Sequence, residues 1–352
     1  MRLTALSEVL PGAPVTNRDM AQRFGLHEKW LDRMTGNRSR YFCGADGTYR
    51  NTGDLATAAA ERALAAARLN PSDLDFLVLC TASPDQLMPA TVNLVADRLG
   101  VNDLPTFQLT SGCAGALTGL YTARGLLAAG HRRGLVIGAD SVEKLWPSEQ
   151  GLKAINPAEL ANFALFGDGA GAAVVEADDD GPGLVVEHMV LRTVGKDRAP
   201  AQIVRWYGAD GAPLVPGPDG TEVREAMSHE DYKAIEEHVP GLAASVLAEL
   251  SAATRWPVAE VEHVLPPQLN GVMTERIRTH LGVRPDQEVS CVADTGNNGN
   301  ALPFIQLGRA LKRIESGIGV GGRLLVTTIE SSKWVVSGLA LRHRAEEAGR
   351  VG

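Results

Sequence analysis

The second half of this chain replays the first, and that repetition limits the fold more than any other feature. Three β-like runs stand out early: Leu74–Cys80, Gly134–Ser141 and Gly169–Glu176. Amphipathic helices lie between them, for example Thr52–Leu69 and Ala90–Leu99. Later, Glu262–Pro266 answers Asp75–Leu79, and the helix ending His280-Leu-Gly-Val283 answers Arg98-Leu-Gly-Val101. Val289–Ala301 answers the strand and turn around Cys113, Arg323–Ser331 answers Leu135–Ser141, and Lys333–Leu341 answers Phe166–Val175. Five elements in one order imply an internal duplication split near residues 176–185. Alternating strands and helices predict a mostly parallel sheet covered on both faces. The equivalent turns of the two halves then converge on one cleft at the carboxyl ends of the strands.

Composition narrows the function. A chain of 352 residues with a formal charge of −8 lacks the basic balance of a nucleic-acid binder. No apolar run reaches the ~18 residues a membrane helix needs, and no signal-peptide pattern opens the chain. The expectation is a cytoplasmic protein without nucleic-acid or membrane partners. Cys43, Cys80, Cys113 and Cys291 have no paired spacing, so neither a disulfide framework nor a metal site is expected.

Cys113 is the candidate nucleophile. The stretch Pro105-Thr-Phe-Gln-Leu-Thr-Ser-Gly-Cys113-Ala-Gly115 reads as a strand, a tight small-residue turn and a helix starting at the cysteine. A thiol at a helix N-terminus meets unpaired N–H groups and the positive end of the dipole, which favours the thiolate. The bland alternative is an inert buried thiol. Gly167-Asp-Gly-Ala-Gly171 has the look of a nucleotide loop but leads into a strand, so dinucleotide binding fails the context test. Between the halves, residues 195–228 are rich in Gly, Pro and Asp and read as an irregular lid, dimer-contact loop or plain connection. Ser228-His-Glu-Asp-Tyr232 then opens a helix running to about Leu250, which Pro240 should kink or divide.

These motifs together resemble the thiolase superfamily, specifically the β-ketoacyl-acyl-carrier-protein synthase III group. The likeness rests on Thr35-Gly-Asn-Arg-Ser-Arg40, Thr81-Ala-Ser-Pro84 with Pro89, Ser111-Gly-Cys-Ala-Gly115, Phe166–Ala173, Pro266-Pro-Gln-Leu-Asn270 and Gly296-Asn297. It implies a thiolase-like α/β fold of two duplicated halves in α/β/α/β/α layers. Residues 1–178 would carry Cys113, and residues 179–352 would carry Asn297 and the Ile329–Lys333 loop. It also implies a homodimer, no permanently bound cofactor, and a phosphopantetheine thioester of coenzyme A or acyl-carrier protein as donor. Residue by residue, Cys113 matches the nucleophile and Asn297 the catalytic asparagine. Trp30 matches a tryptophan at the substrate entrance, with Arg33 one position from its arginine neighbour.

One position departs. Pro267 falls where the family places its histidine. Without that imidazole, decarboxylative condensation loses a donor to the enolate, whereas thioester exchange asks little of acid–base groups. The favoured expectation is an acyltransferase that loads Cys113 and passes the acyl group to an oxygen or nitrogen of a small-molecule acceptor, in specialised metabolite biosynthesis. The rivals are a ketosynthase III that still performs the Claisen condensation, and a non-catalytic partner that binds a carrier protein. Cys113's own N–H and one from the Ile329–Lys333 loop are expected to form an oxyanion hole. Glu330, Ser331 and Ser332 are candidates for orienting the oxyanion or the acceptor, against the alternative of a solvated loop carboxylate at Glu330. Gln268 and Asn270 read as structural residues at a helix start. His188, His229, His238, His263 and His280 read as ordinary strand or helix residues, His229 and His238 both on the inter-half helix.

Overall fold

The computed structural model describes every residue except 45–46, 146–162, 206–212, 217–219, 226, 320 and 346–352. Its strands are β1 (Arg2–Val9), β2 (Phe76–Thr81), β3 (Thr106–Thr110), β4 (Arg133–Asp140), β5 (Gly169–Glu176), β6 (Gly183–Thr193), β7 (His263–Leu265), β8 (Arg323–Glu330) and β9 (Val335–Arg344). They form a nine-stranded sheet in the order β7-β8-β9-β6-β1-β5-β4-β2-β3.

Read from either edge, that order is nearly the same. On one side β3, β2 and β4 run parallel, then β5 and β1 antiparallel. On the other, β7 and β8 run parallel, then β9 and β6 antiparallel. Arg2↔Val185 and Leu3↔Leu184 pair across the two sides, and the Val186 N–H donates to the Met1 carbonyl beside them. The counterpart of β3 is the exception. The stretch expected to repeat it contributes a single bridge, Val264↔Glu288, and turns at once into the short helix Val292–Thr295. Cys291 and Val292 there give their N–H groups to the Gln268 side chain rather than to a sheet neighbour.

Helices cover both faces. The outer face of β2, β4 and β5 packs on α1 (Thr52–Ala67) and α2 (Thr91–Arg98), whose buried Leu55, Ala59, Ala63, Val92 and Val95 meet Leu77, Leu135 and Val174. Asn51 starts α1 by accepting from the N–H of Asp54 at 2.9 Å, and small alanines let the helix lie close to the strands. The other end is covered by α4 (Tyr232–Thr254) and α5 (Gly271–His280), through Ile235, Val246, Leu250, Met273 and Ile277. Between the two sheet faces lie α3 (Gly115–Ala128) and α6 (Leu302–Glu315). Leu117, Leu120, Phe304 and Leu307 there share one core with Val78, Val136, Leu324 and Leu339. The layering is α/β/α/β/α, as the family resemblance implies.

Three local expectations change. The helix after Cys113 begins at Gly115, two residues later than expected. Ser228–Glu230 is a strand, paired antiparallel with Gln202–Val204, so His229 lies on a strand; α4 starts only at Tyr232, capped by Asp231. The reason is local: the Asp231 carboxylate accepts from the N–H of Ala234 at 3.0 Å and fixes the helix start, leaving Ser228–Glu230 to pair. One helix continues through Pro240 to Thr254, and Arg255 ends it in the left-handed conformation. Part of the stretch read as irregular is thus paired, including Leu214–Pro216 with Glu222–Arg224; 206–212, 217–219 and 226 lie outside the described residues. No described helix is long and apolar enough to cross a membrane.

Candidate active site

Cys113 stands in the turn between β3 and α3, where two cavities meet. The first, about 580 Å³, is walled by Glu230, Ile235, Val239, Pro267, Gln268, Leu269, Met273, Leu302, Ile329 and Ser331. The second, about 790 Å³, is walled by Ser83, Asp140, Val142, Leu145, Phe163, Phe166 and Val204. Gln202 and Gly299, like Cys113, line both.

The nucleophile turn is braced from the other half of the chain. Glu330, at the end of β8, accepts from Ser111 Oγ at 2.6 Å and from the Gly112 N–H at 2.9 Å. Its other oxygen accepts from Ser332 Oγ. It is buried and fully engaged, not a solvated loop carboxylate. Asn300 Nδ2 donates to the Ser111 carbonyl and to Asp140, both at 2.8 Å. This approach is close: a Cβ on Gly115 would stand 1.7 Å from Asn300 Oδ1, and one on Gly138 2.1 Å from the Asn300 carbonyl oxygen. Asp140 also accepts from Thr81, Ala82 and Ser83, which accounts for the Thr81–Pro84 motif.

The electrostatics reverse the sequence expectation for the thiol. Burial, then the carboxylates of Glu330, Glu230 and Asp140, push the Cys113 thiol up to about 12, against the pull of its own backbone. The helix itself starts two residues further on, at Gly115. The resting sulfur is a thiol.

Asn297 is fully buried beside Phe166, with which it forms a parallel bridge. Its Oδ1 accepts from Gly299 N–H at 3.1 Å, and its Nδ2 has no partner among the described residues. Pro267 is buried in the wall of the first cavity, and Ser331 lines the same cavity. Gln268 caps the Val292–Thr295 helix through its Oε1, and Asn270 caps α5 by accepting from the Met273 N–H at 2.8 Å. Trp30 packs on Met20, Leu31 and Phe42 in the helix Glu28–Thr35, where exposed Arg33 donates to the Lys29 carbonyl. Neither lines either cavity. No described histidine lines them either: His263 sits in β7, His188 in β6, His280 ends α5, and His238 rests edge-on against Trp334.

Sequence reasoning missed Asp140, Gln202, Glu230 and Asn300. Glu230 is buried, accepts from Gln202 Nε2 at 2.7 Å, and keeps its Oε2 without a partner among the described residues. Burial pushes this carboxyl up to about 7, against the hydrogen bond from Gln202. The available signal was a paired-strand reading of Gln202–Val204 with Ser228–Glu230, which the helix-start pattern masked.

The chain is similar to known proteins over most of its length. The profile of 3-oxoacyl-[acyl-carrier-protein] synthase III matches residues 107–195. Beta-ketoacyl-[acyl-carrier-protein] synthase III 3 of Streptomyces coelicolor is 32% identical over 330 residues, covering 92% of each chain. Acetoacetyl CoA synthase NphT7 of Streptomyces sp. strain CL190 is 30% identical over 319 residues, covering 88% of this chain and 90% of that one. The solved structure of AbyA1, a tetronic acid condensing enzyme, aligns with a TM-score of 0.86 at 42% identity, over 97% of this chain and 99% of its own. With its layers, its cysteine turn and these relatives, the chain belongs to the β-ketoacyl-acyl-carrier-protein synthase III family of the thiolase superfamily.

Proposed function

We propose that this protein is an acyltransferase. Cys113 takes an acyl group from the phosphopantetheine thioester of an acyl-carrier protein or coenzyme A and passes it to an oxygen or nitrogen of a small acceptor. The observation that carries this reading is Pro267, a buried ring in the cavity wall at the position of the family histidine, with no imidazole elsewhere on that wall. Decarboxylative carbon–carbon bond formation develops an enolate that needs two donors; the unpartnered amide of Asn297 would be one at most, and Asn297 is fully buried and lines neither cavity. Attack by an oxygen or nitrogen needs a base instead, worth ~10²–10⁴ in rate. The apolar wall of the first cavity, with Ile235, Val239, Leu269 and Met273, suits an acyl chain. Trp30 and Arg33 would meet the far end of the donor rather than the acyl group. The protein would work in specialised metabolism, in the cytoplasm and as a homodimer.

A second reading, condensation, is favoured by the likeness to a tetronic acid condensing enzyme. A tetronic acid ring contains one ester C–O bond and one C–C bond closing a β-dicarbonyl unit. Transfer to an acceptor oxygen is one half of such a ring closure, so the two readings share their first step.

Intact-protein mass spectrometry after incubation with acyl-coenzyme A and acyl-carrier-protein thioesters tests the proposal. The expected result is an acyl adduct on wild type that Cys113→Ala lacks, discharged by alcohols or amines and not by a malonyl thioester. Discharge by malonyl with a ketoacyl product would replace acyl transfer with condensation. No adduct from any donor would point to a carrier-binding partner without catalysis.

A further inference from the structure

We propose that Glu230 is the proton acceptor of this site, exchanging a proton with Cys113 and with the attacking acceptor in the cavity that Cys113 and Pro267 share. The proposal rests on the acyl-enzyme reading and supplies its base. Three carboxylates act on the Cys113 sulfur, and two of them are occupied. Glu330 is held by Ser111, Gly112 and Ser332. Asp140 is held by Thr81, Ala82, Ser83 and both nitrogens of Asn300. Glu230 alone keeps a buried oxygen, Oε2, with no partner among the described residues, and it lines the cavity that Cys113 and Pro267 share. Gln202, beside it on the paired strand, fixes the other oxygen at 2.7 Å and lines both cavities. The carboxylate is aimed by one oxygen and available by the other.

The proton balance closes in each half-reaction. In acylation, Sγ attacks the donor carbonyl carbon while the thiol proton passes to Glu230 Oε2; the donor C–S bond breaks, and the departing sulfur takes that proton. In transfer, an acceptor O–H or N–H loses its proton to Oε2 as it attacks the acyl carbon; the bond to Sγ breaks, and Sγ recovers the proton. Glu230 begins and ends ionised. Such help is needed, because burial and the three carboxylates hold the sulfur as the thiol at neutral pH. A carboxyl at about 7 is half ionised there, near the optimum for a general base. The other groups facing Glu230 are Cys113 from the nucleophile turn, Tyr232 from the start of α4 and the neutral Gln202; Glu330 reaches the same turn.

Alkylation of Cys113 by iodoacetamide, followed by mass spectrometry against pH, tests this without any acyl donor. Cys43, Cys80 and Cys291 are buried, so the reaction reads Cys113, with Cys113→Ala as control. Wild type is expected to show a rate that rises through about pH 7 as Glu230 ionises. Glu230→Gln should slow the reaction ~10²-fold or more at pH 8 and move the rise toward the thiol's own range. The opposite sign is informative. If Glu230 acted only by its charge, removing it would lower the thiol and speed alkylation. Equal or faster alkylation in Glu230→Gln therefore overturns the proposal, and so does a wild-type profile with no rise near pH 7. A failure here leaves the Cys113 adduct to judge acyl transfer by itself.

Discussion

At the scale of single residues, the site is built from acids. A cysteine surrounded by Glu330, Glu230 and Asp140 is kept protonated at rest. Glu230 also makes stability depend on pH. Its folded-state value of about 7 lies above the ordinary 4.5, so its contribution is full below pH 4.5 and lost as pH rises through 7, where a charge must be buried. Glu230→Gln is thus expected to be more stable than wild type at pH 8, by up to about 3 kcal/mol, and to show little gain at pH 5. Calorimetry at the two pH values checks it; an equal change at both would remove the buried charge from the account. The sequence made Cys113 legible through its turn, and Pro267 through the motif around it. It left Glu230 and Asn300 illegible, because each acts through a partner more than 25 positions away, and no local pattern announces an unpaired oxygen.

At the scale of elements, the site depends on how closely helices approach strands. Gly119 lets α3 lie against β2 and β4: a Cβ there would stand 2.6 Å from Cys80 Sγ and 2.8 Å from Val136 Cγ1. Gly119→Val should cost about 1–3 kcal/mol or more by overpacking. It should also lower the rate of Cys113 alkylation, because α3 carries the nucleophile turn. Denaturant unfolding together with that rate tests the coupling; lost stability with unchanged reactivity would separate helix from turn. Strands and helices with clean periodicity were readable from the sequence, as Gly169–Glu176 shows. The counterpart of β3 was not, because Gln268 takes the backbone donors of Cys291 and Val292 that a strand would use. Ser228–Glu230 was misread because Asp231 caps a helix one residue beyond a short pairing strand.

At the scale of the whole molecule, β3 leaves one edge of the sheet open, and the nearby loop exposes Leu87 and Met88 at 67% and 86%. An open edge with apolar side chains beside it is a pairing surface. It supports the proposed homodimer, for which light scattering should give about twice the chain mass of 37.3 kDa. Leu87→Asp with Met88→Asp should shift the mass toward a single chain, and an unchanged mass would move the contact elsewhere. The halves proposed from the repeat, 1–178 and 179–352, are consistent with a sheet order that reads nearly the same from both edges, β3 excepted.

The grip of Glu330 and Asn300 on the cysteine turn has an evolutionary side. On the duplication reading, the copy without a nucleophile became the mount for the copy that has one. Ancestral redundancy between the copies is thereby spent. On that reading a change in the later copy would be felt as lost aim at Cys113, so the two copies would no longer vary independently.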